Sequence, residues 1–245
     1  ASHYQDNVAE QQFAMGAGQD VTISVAAVGL VIAVAYGMWS VSAIPMSAFF
    51  GWHPVLMTAA FPCLMTLGRW SYHAGESWSG AKPKRRARHA VIMISAAIAT
   101  GLGYLCIFEA HRPQRQFFGY DFNKGEWKEW RRIFHVYLGY MLLLATAAQA
   151  FMGGEKMRSL IKGHRIFTFH GRLGKSIICV GAVNTILGIW LWTWLPSLKL
   201  LGVTLTATCM VFGVFIQQPA EEHDRALDSS EGTEEATPIG NASVD

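Results

Sequence analysis

Six stretches of this chain are each apolar and about 20 residues long, enough to cross the hydrocarbon core of a bilayer as a helix. They run over 21–45, 48–70, 89–108, 132–152, 168–192 and 194–216, and no aspartate or glutamate falls inside those bounds. Such a pattern points to an all-α integral membrane protein with six transmembrane helices. In lipid a helix pairs its own backbone groups, which water cannot do for it. Pro54 and Pro62 lie inside the second stretch. Membrane helices tolerate proline because neighbours and local adjustment re-satisfy the freed carbonyl. The fifth and sixth stretches meet at Trp192-Thr193-Trp194-Leu195-Pro196, a tight turn with interfacial tryptophans.

Composition agrees. Of 245 residues 51% are apolar and 15% charged, against about 25% charged in a soluble domain. A soluble two-domain enzyme, a secreted mini-protein and a nucleic-acid-binding module are excluded. Cys63, Cys106, Cys179 and Cys209 all lie in apolar runs, with neither the spacing of a zinc site nor that of a disulfide framework. Charge divides the chain further. Residues 1–216 hold 19 basic and 9 acidic residues, whereas 217–245 hold 1 and 8. Three regions follow: a polar segment 1–20, a membrane domain 21–216 and an acidic tail 217–245 whose composition predicts disorder. Residues 1–20 lack the basic start and apolar core of a signal peptide. The start at Ala1 rather than methionine points to removal of an initiator or a targeting segment.

Six spans place both termini on one side, here called side A, with the loops 69–88 and 153–167. The opposite side B carries the loops 46–47 and 109–131 and the turn near 193. Loop 69–88 holds Arg69, Lys82, Lys84, Arg85, Arg86 and Arg88 against Glu76. Loop 153–167 holds Lys156, Arg158, Lys162 and Arg165 against Glu155. Loop 109–131 on side B is basic too, with Arg112, Arg115, Lys124, Lys128 and Arg131, but four acids offset it. The positive-inside rule puts side A, and both termini, in the cytosol or its matrix or stromal equivalent.

Nine histidines are present, and four of them, His53, His89, His135 and His170, stand near the starts of four successive spans. An ionisable residue in a membrane span is costly and by default functional. Successive spans alternate in direction, so His53 and His135 lie near side B and His89 and His170 near side A. Two facing imidazoles inside a four-helix core suit a haem iron held from both sides. Zinc wants four ligands, and non-haem iron wants a carboxylate that neither pair has. Ligation by two histidines closes both axial positions, so such a haem carries electrons rather than activating oxygen. No Cys-x-x-Cys-His is present, so the haem is non-covalent.

The neighbours of these histidines have two readings each. Gly139 and Gly174 stand four residues after His135 and His170, on the same helix face, where a flat macrocycle could approach; ordinary close packing also favours glycine there. Gly174, Gly181 and Gly188 sit at heptad spacing and read as a packing seam. Arg86 and Arg88, Arg131 and Arg132, and Arg172 and Lys175 flank the histidines as partners for haem propionates or as headgroup anchors. Trp52, Phe134, Tyr137 and Phe169 read as haem-edge residues or as interfacial anchors.

Trp52-His53-Pro54-Val55-Leu56-Met57 resembles the second-helix signature of the cytochrome b561 family, and Arg85-Arg86-Ala87-Arg88-His89 is similar to the opening of its third helix. The resemblance covers roughly 21–216 and is greatest to the short members without soluble modules. It implies six helices, a four-helix core of helices 2–5, and two haem b groups. The iron ligands it implies are His53 with His135 and His89 with His170. It also implies trans-membrane electron transfer from ascorbate to monodehydroascorbate or a ferric chelate, and a homodimer as the common assembly. The chain departs from the family around Arg69-Trp70-Ser71-Tyr72-His73 and Phe134-His135-Val136-Tyr137. Lys82, Lys84 and Arg165 are candidates for an anion site on side A, with His111 and Lys124 as candidates on side B.

Three functions remain open on the sequence. One is a trans-membrane oxidoreductase of the ascorbate or ferric reductase type, in an endomembrane or plasma membrane. Another is a haem-bearing accessory subunit fed by a protein donor within a larger complex, which would also suit an organelle inner membrane. A third is a haem-free scaffold with histidines as polar glue, which leaves the sorting of the four histidines between two faces unexplained.

Overall fold

The computed structural model describes residues 2–73 and 82–216, with side chains omitted for 2–17, 73 and 82. Glu76 and the acidic tail 217–245 lie outside the described residues. Among the described residues six helices are long and apolar enough to cross a membrane: Gly18–Val41, Phe49–Tyr72, Pro83–His111, Trp130–Ile161, His170–Trp190 and Pro196–Phe215. The chain is an all-α integral membrane protein.

The helices outrun the apolar stretches. The first extends back through the polar segment to Ser2, so no break marks residue 20. The third begins at Lys82 and the fourth continues to Ile161. Hydrocarbon thickness limits the apolar part of a helix, not its length; the 32 residues of the fourth helix measure about 48 Å at the α-helical rise. These extensions bring acids into the helix ends, where Glu109 pairs with Arg112 at 2.8 Å and Glu155 with Arg158 at 2.5 Å.

The second span is three pieces in one rod. Phe49–Thr58 is α-helical, Ala59–Met65 is π-helical, and Thr66–His73 is α-helical again. Pro62 sits in the π segment. Proline has no N–H to donate and its ring crowds the carbonyl one turn back; a wider turn relieves both.

This rod is shared by two buried clusters. One joins the first, second, fifth and sixth spans through Ile23, Leu30, Cys63, Trp70, Ile189 and Cys209. The other joins spans two to five through Ala60, Phe61, Ala96, Leu142, Ile177 and Ile178. The first and sixth spans pack on each other and against the second and fifth. Two tryptophans fasten that layer. Fully buried Trp70 donates from Nε1 to Asp20 Oδ1 at 2.7 Å, and Trp194 donates to Ser42 Oγ at 2.9 Å. The Trp194 ring lies on Gly37, where any Cβ would fall 2.5 Å from it. The third span turns Val91, Ile94, Ile98, Leu102 and Leu105 outward, an apolar stripe at helical spacing facing lipid.

Between the third and fourth spans the chain is not a bare loop. Three two-residue strands, β1 (Gln116–Phe117), β2 (Tyr120–Asp121) and β3 (Glu126–Trp127), pair antiparallel in sequence order. Gly119 and Gly125 take φ of +75° and +70° at the turns, which glycine adopts without steric cost. Asp121 is almost wholly buried and accepts from Gln116 Nε2, Lys128 Nζ and the backbone of Asn123 and Lys124 at 2.8–3.2 Å.

Candidate functional site

Three of the four span histidines are set by a carbonyl of the neighbouring antiparallel helix. His53 on the second span places Nδ1 2.9 Å from the carbonyl of Gly103 on the third. His89 on the third span places Nδ1 2.9 Å from the carbonyl of Gly68 on the second. His135 on the fourth span places Nδ1 3.2 Å from the carbonyl of Asn184 on the fifth. Nδ1 must carry the proton to donate to a carbonyl, so Nε2 is left with a free lone pair. A metal-binding imidazole has this arrangement, with its far nitrogen fixed by a second hydrogen bond.

The arrangement is reciprocal. Gly103 stands 14 residues after His89, Asn184 14 after His170, and Gly68 15 after His53. Fourteen residues are about four α-helical turns, so a helix carries its histidine and its acceptor carbonyl on nearly one face. The second span uses one residue more because its π segment winds more slowly. Glycines complete the cradles. A Cβ on Gly188 would meet His135 Cε1 at 3.3 Å, and one on Gly153 would meet His170 Cε1 at 3.3 Å; both stand 18 residues after the histidine of their own helix.

His53 and His135 face each other with ring centroids 6.4 Å apart and planes at 89°. Two imidazoles bound to one metal from opposite sides, each with a bond of about 2 Å, bring their ring centres to about 6 Å. The spacing therefore fits an iron between them. The rings open onto a cavity of about 400 Å³ lined by Phe50, Met57, Tyr104, His111, Arg132 and Tyr140 among others. The β-sheet roofs it on side B, with Phe117, Tyr120 and Lys128 also in the lining. At the other end His89 and His170 lie within electrostatic reach of each other and of Lys156, and Arg86 within reach of Lys156. Tyr72 packs edge-on to His89 at 5.4 Å. Along the helix axis the two ends are about 21 Å apart, from 14 residues of α-helix, which keeps both within a hydrocarbon core of about 30 Å.

Other expectations fare differently. Trp52, Phe134, Tyr137 and Phe169 are 36–53% exposed, and none lines the side B cavity; they stand at the lipid face and its margins. Of the paired arginines before His135, Arg132 lines the cavity while Arg131 binds Glu129 outside it. Gly139 lines the cavity, whereas a Cβ on Gly174 would meet Gln149 Nε2 at 3.1 Å. The heptad glycines thus receive side chains, and Gly181 takes the Phe61 ring, which a Cβ would strike at 2.7 Å. Lys84 and Arg165 are exposed at side A, and the Lys82 side chain is outside the described residues. His111 lines the cavity, but Lys124 points away toward Glu126 at 3.9 Å. Among the described residues no group of three or more His, Cys, Asp or Glu gathers to hold a metal ion.

Residues 52–154 match the sequence profile of the family described as eukaryotic cytochrome b561. Over that stretch the chain is similar to the cytochrome b561 family. His53, His89 and His135 fall within the matched stretch of that family, and His170 lies beyond it. Among curated proteins the chain is similar to the lysosomal membrane ascorbate-dependent ferrireductase CYB561A3 of Mus musculus and of Bos taurus, 26% identical to each. The alignment covers 57% of this chain and 54% and 50% of those proteins, so it takes in about half the length of the b561 relatives.

Proposed function

We propose that the chain carries electrons across a membrane through two b-type haems, one held by His53 and His135 near side B and one by His89 and His170 near side A. The 6.4 Å approach of His53 and His135, with Nδ1 of each tied to a carbonyl of a neighbouring helix, is the observation that carries this reading. Haem b supplies a one-electron carrier within the bilayer. The protein fixes four imidazoles, excludes water with apolar packing between the two levels, and leaves cations at both ends. Arg132 in the side B cavity and Arg86 with Lys156 at side A suit propionate carboxylates.

The donor on this reading is ascorbate at side A, an anion drawn by Lys82, Lys84, Arg86, Lys156 and Arg165. The acceptor at side B is a ferric chelate or monodehydroascorbate, reached beneath the sheet beside His111. Similarity to ascorbate-dependent ferrireductases supports the ascorbate and ferric assignments. An endomembrane, with side A and both termini in the cytosol, accords with the basic loops and with the lysosomal relatives. The test is a pyridine haem count and a reduced-minus-oxidised spectrum of the purified chain, taken with ascorbate and then dithionite. The proposal expects two haem b per chain, largely reduced by ascorbate. Two haems that only dithionite reduces would replace ascorbate with a protein donor in a larger complex. No haem would overturn the proposal.

A further inference from the structure

The reciprocal pattern has one exception. A histidine on the fifth span should place Nδ1 against the carbonyl 14 residues after His135, which belongs to Gln149. That bond is not made: His170 Nδ1 is buried with no hydrogen-bond partner among the described residues. The Gln149 side chain reaches the same residue instead, donating from Nε2 to the backbone carbonyl of His170 at 2.8 Å. Its other arm, Oε1, is buried and also without a partner among the described residues. The His170 ring lies over Gly153, one turn along the fourth span from Gln149. A buried donor and a buried acceptor, each unmatched, therefore belong to two residues that a hydrogen bond already joins. Leaving both unmade is costly, because neither buried group recovers the hydrogen bond it made in water.

We propose that Gln149 is a positioning residue for His170, its Oε1 accepting the Nδ1 proton when Nε2 binds iron. This rests on the haem reading above. Three histidines then lean on backbone carbonyls and the fourth on a side-chain amide, so the side A haem has a ligand environment that a single substitution can change. Asn184, in the corresponding position of the fifth span, gives its backbone oxygen to His135. A hydrogen bond at Nδ1 makes the imidazole a stronger donor to iron and favours the ferric state. Losing it should raise the midpoint potential of that haem alone.

The experiment is potentiometric titration and low-temperature EPR of the full chain, with Gln149→Leu and Gln149→Glu beside the parent. His89→Ala identifies the side A species by its loss. The expected result is a raised side A midpoint and an altered side A EPR signal in Gln149→Leu, with side B unmoved. Gln149→Glu keeps an acceptor oxygen and should hold the midpoint at or below the parent's. Unchanged side A midpoints and spectra in both variants would overturn the inference. So would loss of the side A haem in both, because the glutamate should retain it. A parent chain with one haem or none would instead sink the haem reading itself.

Discussion

At the scale of single residues the sites are made by pairs that sequence shows only by half. The four histidines are legible because an imidazole in a membrane span is costly and alternation of the spans sorts them. Their acceptors are not, since a backbone carbonyl has no residue type of its own. Gly68, Gly103 and Asn184 look unremarkable until the helices are laid together. The glycines are similar. Heptad spacing shows a seam in the fifth span but not what fills it, which proves to be Phe61 at Gly181 and His135 at Gly188. The two differ in how much room remains. A Cβ at Gly181 would lie 2.7 Å from Phe61, so the ring must move; at Gly188 it would lie 3.3 Å from His135 Cε1, a tight contact. Gly181→Ala should cost about 1–3 kcal/mol as an overpacked core, seen as a lower thermal midpoint with both haems retained. Gly188→Ala should instead displace His135 and weaken haem retention at side B, measured by haem loss to apomyoglobin. Equal behaviour of the two variants would contradict this assignment.

At the scale of elements, the six spans were readable to within a few residues at most ends, because an apolar run of this length has one stable answer in lipid. Overshoots occur where polar residues continue a helix past the hydrocarbon, as at Lys82 and Ile161. The sheet between the third and fourth spans was not readable. Its strands are two residues long, too short for alternation to show, and residues 109–131 carry charges of both signs. Its organiser is Asp121, whose carboxyl is held below the ordinary carboxylate range by the hydrogen bond from Lys128 Nζ and by bonds from the backbone of Lys124 and Asn123. A depressed value in the folded sheet means that the stabilisation is present above the unfolded value and lost only as pH falls through the folded one. The sheet should therefore stay closed down to a pH of about 4, the unperturbed aspartate value, and open in stronger acid. Asp121→Asn should remove this dependence and raise hydrogen exchange over 116–128 at neutral pH. Exchange unchanged by the substitution would show that the turns alone hold the roof.

At the scale of the whole molecule, the chain is two antiparallel hairpins of the same design, spans two and three against spans four and five, with the first and sixth spans laid against the second and fifth. In the first hairpin each helix gives its histidine to a carbonyl of the other, and in the second His135 does so while His170 does not. No short repeat shows this in the sequence, since the shared features are four single residues separated by unrelated apolar filler. The central claim is that His53 with His135 and His89 with His170 form two separate iron sites. The most direct test is the spectrum of four single variants, His53→Ala, His89→Ala, His135→Ala and His170→Ala, each purified and its α-band species counted. The account predicts that the 53 and 135 variants lose one species and the 89 and 170 variants lose the other. Loss of the same species by His53→Ala and His89→Ala would contradict it.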